Sequence, residues 1–138
     1  MSDRVERVVG ARWTEQRRVL LAFLTSANRC LSAQEIHAEL ARQGNAVSLA
    51  TVYRTVARLV SAGSLDVVLR DDGEATYVVG SEWHHHHLVC RTCGRADEIA
   101  DPVVARWADE EAARHGFTDA THALTVFGVC PACRAPVT

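Results

Sequence analysis

Two cysteine pairs carry the clearest chemistry in this chain: Cys90-Arg91-Thr92-Cys93 and Cys130-Pro131-Ala132-Cys133, separated by 36 residues. Two residues between cysteines let both thiolates turn toward one ion, and two such turns complete a tetrahedral four-thiolate zinc site. A closed shell leaves no position for water or substrate, so the zinc expected here is structural. It would tie the end of the chain to the middle of its second half, with the metal's affinity forming part of the folding energy. Two redox dithiols are the alternative.

Directly before the first pair stand His84, His85, His86 and His87 in "EWHHHHLVC". Neighbouring side chains of a strand point to opposite faces. His84 and His86 are therefore expected on one face, His85 and His87 on the other, so that one strand could feed two metal sites. Neutral imidazole suits zinc, iron or nickel. His122, at the start of "HALTVFGV", could join His84 and His86; Asp66, opening a hairpin, could join His85 and His87. A solvated polar strand end is the plainer reading of the run.

The elements that must position these residues follow from periodicity and caps. A first helix is expected from Thr14, which can cap it, through "TEQRRVLLAFLTSA". A second starts at "SAQEIHAEL", where Ser32 and Glu35 have the spacing of a capping box, and Gly44 ends it. A third runs from the N-cap Ser48 to Gly63. Its period puts Leu49, Val52, Val56, Leu59 and Val60 on one face and Thr51, Arg54, Thr55 and Arg58 on the other. Two β-branched runs joined by Asp71-Asp72-Gly73 then form a hairpin. Three helices and a hairpin make a winged helix-turn-helix pattern, whose third helix suits a DNA major groove. A generic helical domain with solvated arginines is the alternative. The second half reads as strands at "HHHHLVC", "RADEIA" and "THALTVFGVC" around a helix "DPVVARWADEEAARHG" with Pro102 in its first turn. The expected class is α+β: a winged-helix domain over residues 1–80, a hinge near 80–82, and a small α/β dimerisation domain over 83–138.

Charge divides the same way. Residues 1–63 hold nine arginines against five acids, a net +4; residues 64–138 hold six arginines against twelve acids, a net −6. A basic front half joined to an acidic, His- and Cys-rich back half suggests two tasks. There is no lysine, which fits GC-rich coding. No apolar run approaches the ~20 residues that cross a bilayer, and the first residues lack the apolar core of a signal peptide. The cytoplasm is expected, where five cysteines read as metal ligands or thiols rather than disulfides.

Together, "GARWTEQR", "SAQEIHAEL", "SLATVYRTVARL", "HHHHLVCRTCG", "RHGF" and "HALTVFGVCPAC" resemble the ferric uptake regulator family over nearly the whole chain, most of all its zinc uptake regulators. The resemblance implies a homodimer that binds AT-rich palindromic double-stranded DNA when loaded with metal, the metal acting as corepressor. It implies that Tyr53 and Arg54 contact DNA from the third helix, beside Thr51 and Arg58, and that Arg12 reaches the minor groove or phosphates. It also implies a regulatory site at Asp66, His85 and His87, and a second site at His84, His86 and His122. Two positions depart from the zinc regulators: Gly80 replaces a usual cysteine ligand, and Ala105 a usual helix glutamate. Each constellation is thus one ligand short. Cys30, where iron-type relatives place a histidine, could complete the first; a small buried hydrophobe is its other reading. Glu98 or Asp101 could complete the second.

Enzymatic readings fare poorly. His37-Ala38-Glu39 with a C-x-x-C resembles a zinc deaminase signature, but valines, Val89 and Val129, precede the cysteine pairs where that signature needs proline. No H-E-x-x-H motif or nucleophile triad is present, and no small-molecule substrate or membrane is expected. Within the family an iron, peroxide or nickel sensor competes with a zinc sensor, because thiolate ligation is what favours zinc. A metal-storage or adaptor protein without DNA binding is the alternative of another class.

Overall fold

A computed structural model describes residues 2–80, 86–99 and 102–134, with side chains from Thr14 onward. The chain divides into two compact units, residues 1–80 and 81–138.

The first unit opens with α1 (Ser2–Ala27). Thr14 was expected to cap this helix; instead it lies inside it. No proline interrupts residues 2–13, and Val5, Val8 and Val9 continue the helical spacing, so nothing there stops the helix. The single Gly10 costs ~1 kcal/mol against alanine, too little to break it. Asn28, at φ 49, ends α1 in the left-handed region, its N–H donating to the Leu24 carbonyl at 3.1 Å.

Helix α2 (Ala33–Arg42) begins with the expected capping box. The Glu35 N–H donates to Ser32 Oγ at 3.2 Å, and the Ser32 N–H donates to Glu35 Oε1 at 2.9 Å. Helix α3 (Leu49–Ser61) is capped by Ser48. Its buried residues are Val52, Thr55, Val56 and Leu59, which corrects the placing of Thr55 on the open face. At 100° per residue Thr55 stands about 40° from Leu59 around the helix, inside the packed sector. Leu20, Leu24, Leu31, Ile36, Leu40, Val52, Val56, Leu59 and Leu65 form the apolar core these helices enclose, joined by Ala33.

Strands β1 (Leu65–Leu69) and β2 (Ala75–Val79) make the hairpin, pairing Leu65 with Val79 through Leu69 with Ala75. Its turn closes on Gly73 at φ 87, where a side chain would be strained. Asp72 Oδ1 accepts from the Glu74 N–H at 2.9 Å. Leu31 adds a short antiparallel bridge on the other side of β2, exchanging two hydrogen bonds with Tyr77. Arg70, just beyond β1, reaches Glu35 at 2.5 Å and Glu74 at 3.3 Å, fastening the hairpin to the start of α2.

The second unit is a three-stranded sheet in the order β4-β3-β5, with helix α4 (Pro102–Arg114) between β4 and β5 in the chain. Strand β3 (His86–Cys90) runs antiparallel to β4 (Ala96–Glu98) and parallel to β5 (Leu124–Gly128). A parallel neighbour needs a crossover, and α4 supplies it. No described residue of α4 is buried.

Candidate metal centre and nucleic-acid interface

The parallel pairing of β3 with β5 sets Cys90 opposite Gly128, so the turns that follow both strands lie side by side. In the first turn the Gly94 N–H donates to the Cys90 carbonyl at 3.0 Å, with Gly94 at φ 81. In the second the Cys133 and Arg134 N–H groups both donate to the Cys130 carbonyl at 3.0 Å. The Arg91 N–H donates to Gly128 at 2.8 Å and clamps one turn to the other.

The result is a single cluster of Cys90, Cys93, Cys130 and Cys133, whose sulfurs all lie within 4.8 Å of one another. Cys93 and Cys130 are 3.8 Å apart. A tetrahedron with zinc–sulfur bonds near 2.3 Å has edges of about 3.8 Å, so this spacing fits zinc. Backbone N–H groups reach two of the sulfurs: Cys130 N–H donates to Cys90 Sγ at 3.3 Å, and Arg95 N–H to Cys93 Sγ at 3.5 Å. The hydrogen bond from the Cys130 backbone, helped by those of Cys93 and Thr92, lowers the Cys90 thiol to about 5. Hydrogen bonds to Cys130 and Cys93 push Cys133 up to about 12. Within the cluster Cys90 is thus the readier thiolate, and Cys133 holds its proton more tightly. With four sulfurs around one ion the shell is closed, and the site fits a structural zinc.

Arg95 was not among the expected site residues. Its guanidinium pairs with Asp97 at 3.0 and 3.1 Å beside the thiols. The i, i+2 spacing on one strand face was the available signal.

Of the histidine run, His86 and His87 open β3 as neighbours, which puts them on opposite faces as expected. His84 and His85 lie outside the described residues, as does Asp101. His86 and His87 are both buried, at 3% and 2% exposure. His86 stacks on His122 with ring centroids 5.0 Å apart and planes at 25°. The Leu124 N–H donates to His86 Nδ1 at 3.0 Å. His86 is thus tied to β5 by this bond and stacked on His122, the residue expected beside it. Ala105 is on α4, and Glu98 ends β4 opposite His87.

In the first unit Asp66 pairs with Val78, and extending the Leu31–Tyr77 bridge by one residue puts Cys30 on Val78's other side. Cys30 and Asp66 therefore share a sheet face with one residue between them. Cys30 is 3% exposed, and burial pushes its thiol up to about 11, against a hydrogen bond with Thr76 that works the other way. Among the described residues only the four-cysteine cluster brings three or more metal-binding side chains together.

On α3, Tyr53, Arg54 and Arg58 are exposed while Val52, Val56 and Leu59 are buried. Ser48 Oγ donates to Thr51 Oγ1 at 2.9 Å, and Arg54 donates to the same oxygen at 3.3 Å, which steadies the open end of the helix. The side chain of Arg12 lies outside those described; its backbone belongs to α1.

Residues 8–127 match the model of the ferric uptake regulator family. A zinc uptake regulation protein of Mycobacterium tuberculosis is 45% identical over 126 residues, covering 91% of this chain and 97% of that one. The crystal structure of FurB from M. tuberculosis, a zinc uptake regulator, superposes with a TM-score of 0.54 at 44% identity, over 93% of this chain and 99% of the other. The Vibrio cholerae ferric uptake regulator gives 0.67 at 30% identity, over 83% and 88%.

Proposed function

The chain belongs to the ferric uptake regulator family, and from that premise we propose that it is a zinc-responsive transcriptional repressor acting as a homodimer. Metal serves as corepressor, and the target is an AT-rich palindromic operator. The observation that carries this reading is the division of α3. Its apolar side is used up in the core, while Tyr53, Arg54 and Arg58 are exposed on the surface. That is the arrangement a recognition helix needs to enter a major groove.

Dimerisation is supported by what the second unit leaves exposed. Leu88 and Val126 sit opposite each other on the sheet at 42% exposure each, and Val103 and Trp107 of α4 are 67% and 62% exposed. So much apolar surface on a small unit suits burial against a second copy. The structural zinc at Cys90, Cys93, Cys130 and Cys133 keeps this unit folded.

The regulatory donors we propose are Asp66, His85 and His87. A carboxylate with imidazoles is a nitrogen–oxygen set that suits a divalent first-row metal. Metal bound there favours the DNA-competent state by binding it more tightly than the other. Cys30 could complete this set as a fourth donor, but its buried, protonated thiol and its place beyond Val78 support the packed-thiol reading. His84, His86 and His122 form the second set, supported by the stacking of His86 on His122. The names of the M. tuberculosis relatives favour zinc; without a thiolate donor, iron and nickel remain the competing metals.

The test is DNA retardation on AT-rich palindromes by purified dimer under zinc, iron or nickel, with metal counted per chain. Zinc-dependent binding is expected. Binding driven by iron or nickel alone would reassign the metal. No metal-dependent binding at all would leave a metal-storage or adaptor protein.

A further inference from the structure

Gly80 closes the first unit and leads directly into the segment that carries the histidine run. Unlike Gly44, Gly63, Gly73, Gly94 and Gly116, it does not have a positive φ. Its backbone would accept any residue, so conformation does not explain a glycine here. Space does. A Cβ built at Gly80 would fall 2.4 Å from Asp66 Oδ2, 2.7 Å from Cγ and 2.8 Å from Oδ1. The whole carboxylate group of Asp66 lies where every other amino acid carries its first side-chain atom.

The pairing explains how it gets there. Asp66 is opposite Val78, and the Gly80 N–H points to the Ser64 carbonyl at 3.4 Å, so Asp66 and Gly80 are diagonal neighbours on one face of the hairpin. Diagonal positions are ordinarily too far apart for such short side chains to meet. The carboxylate closes the gap by leaning along the strand into the glycine's empty volume. A side chain at position 80 would not break the hairpin, because the atoms it meets belong to a side chain that can rotate. It would move the carboxylate.

We propose that Gly80 is a positioning residue for Asp66: its missing side chain is the seat that holds the carboxylate at the end of the hairpin. The first unit then contributes a carboxylate rather than a thiolate to the regulatory set. This rests on the preceding reading of Asp66 as a donor.

The experiment is a double-mutant cycle on the full-length protein, with the zinc bound beyond the cysteine cluster as the readout. Asp66→Ala, Gly80→Ala and the pair are titrated with zinc by competition against a chelating dye, and melted in parallel. Gly80→Ala is expected to weaken the additional zinc by about 10- to 100-fold, the range for groups that orient a ligand. Its melting temperature should hold or rise, since alanine limits the unfolded chain at a position whose φ it tolerates. In the Asp66→Ala background the same change should do nothing further, because it acts only through the carboxylate. Wild-type affinity in Gly80→Ala, or an equal loss with and without Asp66, overturns the positioning role while leaving Asp66 as a donor. Wild-type affinity in Asp66→Ala overturns the donor reading, and the positioning role with it.

Discussion

The two units of this chain solve the same problem by different physics. The first buries a cluster of large aliphatic residues from three helices and a strand, with Leu20, Ile36, Leu40, Val52 and Leu59 fully enclosed. Each such side chain is worth ~1.5–3 kcal/mol when removed from water. Among its described residues the second has no comparable interior. Its described buried residues are His86, His87, Val89, Cys90 and Ala96, and none of them is on α4. A sheet of three short strands cannot stand on that. The four-thiol cluster and, on our reading, a second copy supply what the core does not. On our reading, one unit is folded by its own core and the other in combination with what it binds.

The largest effect should come from breaking the weaker half. Structural zinc in small domains contributes about 10–16 kcal/mol near neutral pH, more than the second unit's few buried residues can replace. Cys90→Ser or Cys133→Ser should abolish amide-exchange protection in β3 and β5 and lose one zinc per chain, while α2 and α3 stay protected. Protection that survives in β3 without zinc would end the contrast. The reciprocal change, Ile36→Ala, opens the first core at a cost of about 2–5 kcal/mol. It should lower protection in α2 and α3 yet leave the zinc at the cluster in place.

The next effect concerns the surface rather than the interior. Arg54 is exposed, so its removal costs the fold little. On the proposed function Arg54→Ala should weaken operator binding by ~1–3 kcal/mol and leave zinc content and dimerisation unchanged. The dependence of affinity on salt should become shallower as well if the contact is to phosphate. Loss of zinc instead of DNA affinity would mean that the units do not divide the work as proposed.

How much of this could be read beforehand tracks how local each signal is. The two cysteine turns, the Ser32–Glu35 box and the Asp72-Gly73 hairpin each span a few residues and carry their own geometry, and all stand in the structure where the sequence puts them. Among distant pairings, the meeting of the two cysteine turns and of His86 with His122 was legible from residue type, but the strand register was not. His86 is fixed by a hydrogen bond from Leu124, 38 residues away, across a parallel pairing that no local pattern specifies. Thr55 looked polar, yet it sits beside the apolar sector. A buried hydroxyl is tolerated when bonded, and no described buried polar side-chain atom lacks a partner. The start of α1 was misplaced because threonine is only a permissive cap, and nothing before it forbids a helix. Gly80 reads as a lost ligand until the cross-strand register shows what fills its place.

The smallest effect sharpens the contrast because it belongs wholly to the self-sufficient unit. Burial works to raise the Glu35 carboxyl, but the Ser32 N–H and the Arg70 guanidinium outweigh it, and the net shift is downward from 4.5. A carboxyl lowered by folding stabilises the native state above its unfolded value, and that contribution disappears as pH falls through the lower, folded value. Ser32→Ala should cost about 1 kcal/mol, the usual worth of a cap. Glu35→Gln should cost less, since an amide can still accept from the Ser32 N–H, but it should flatten the acid side of the first unit's stability below pH 4.5. Neither change should alter zinc content. Unfolding followed by urea at pH 7 and at pH 4, read from α2 amides, separates the two. If Glu35→Gln loses as much stability at pH 4 as at pH 7, the carboxylate's charge is not what ties the hairpin to α2, and the tie through Arg70 is packing alone.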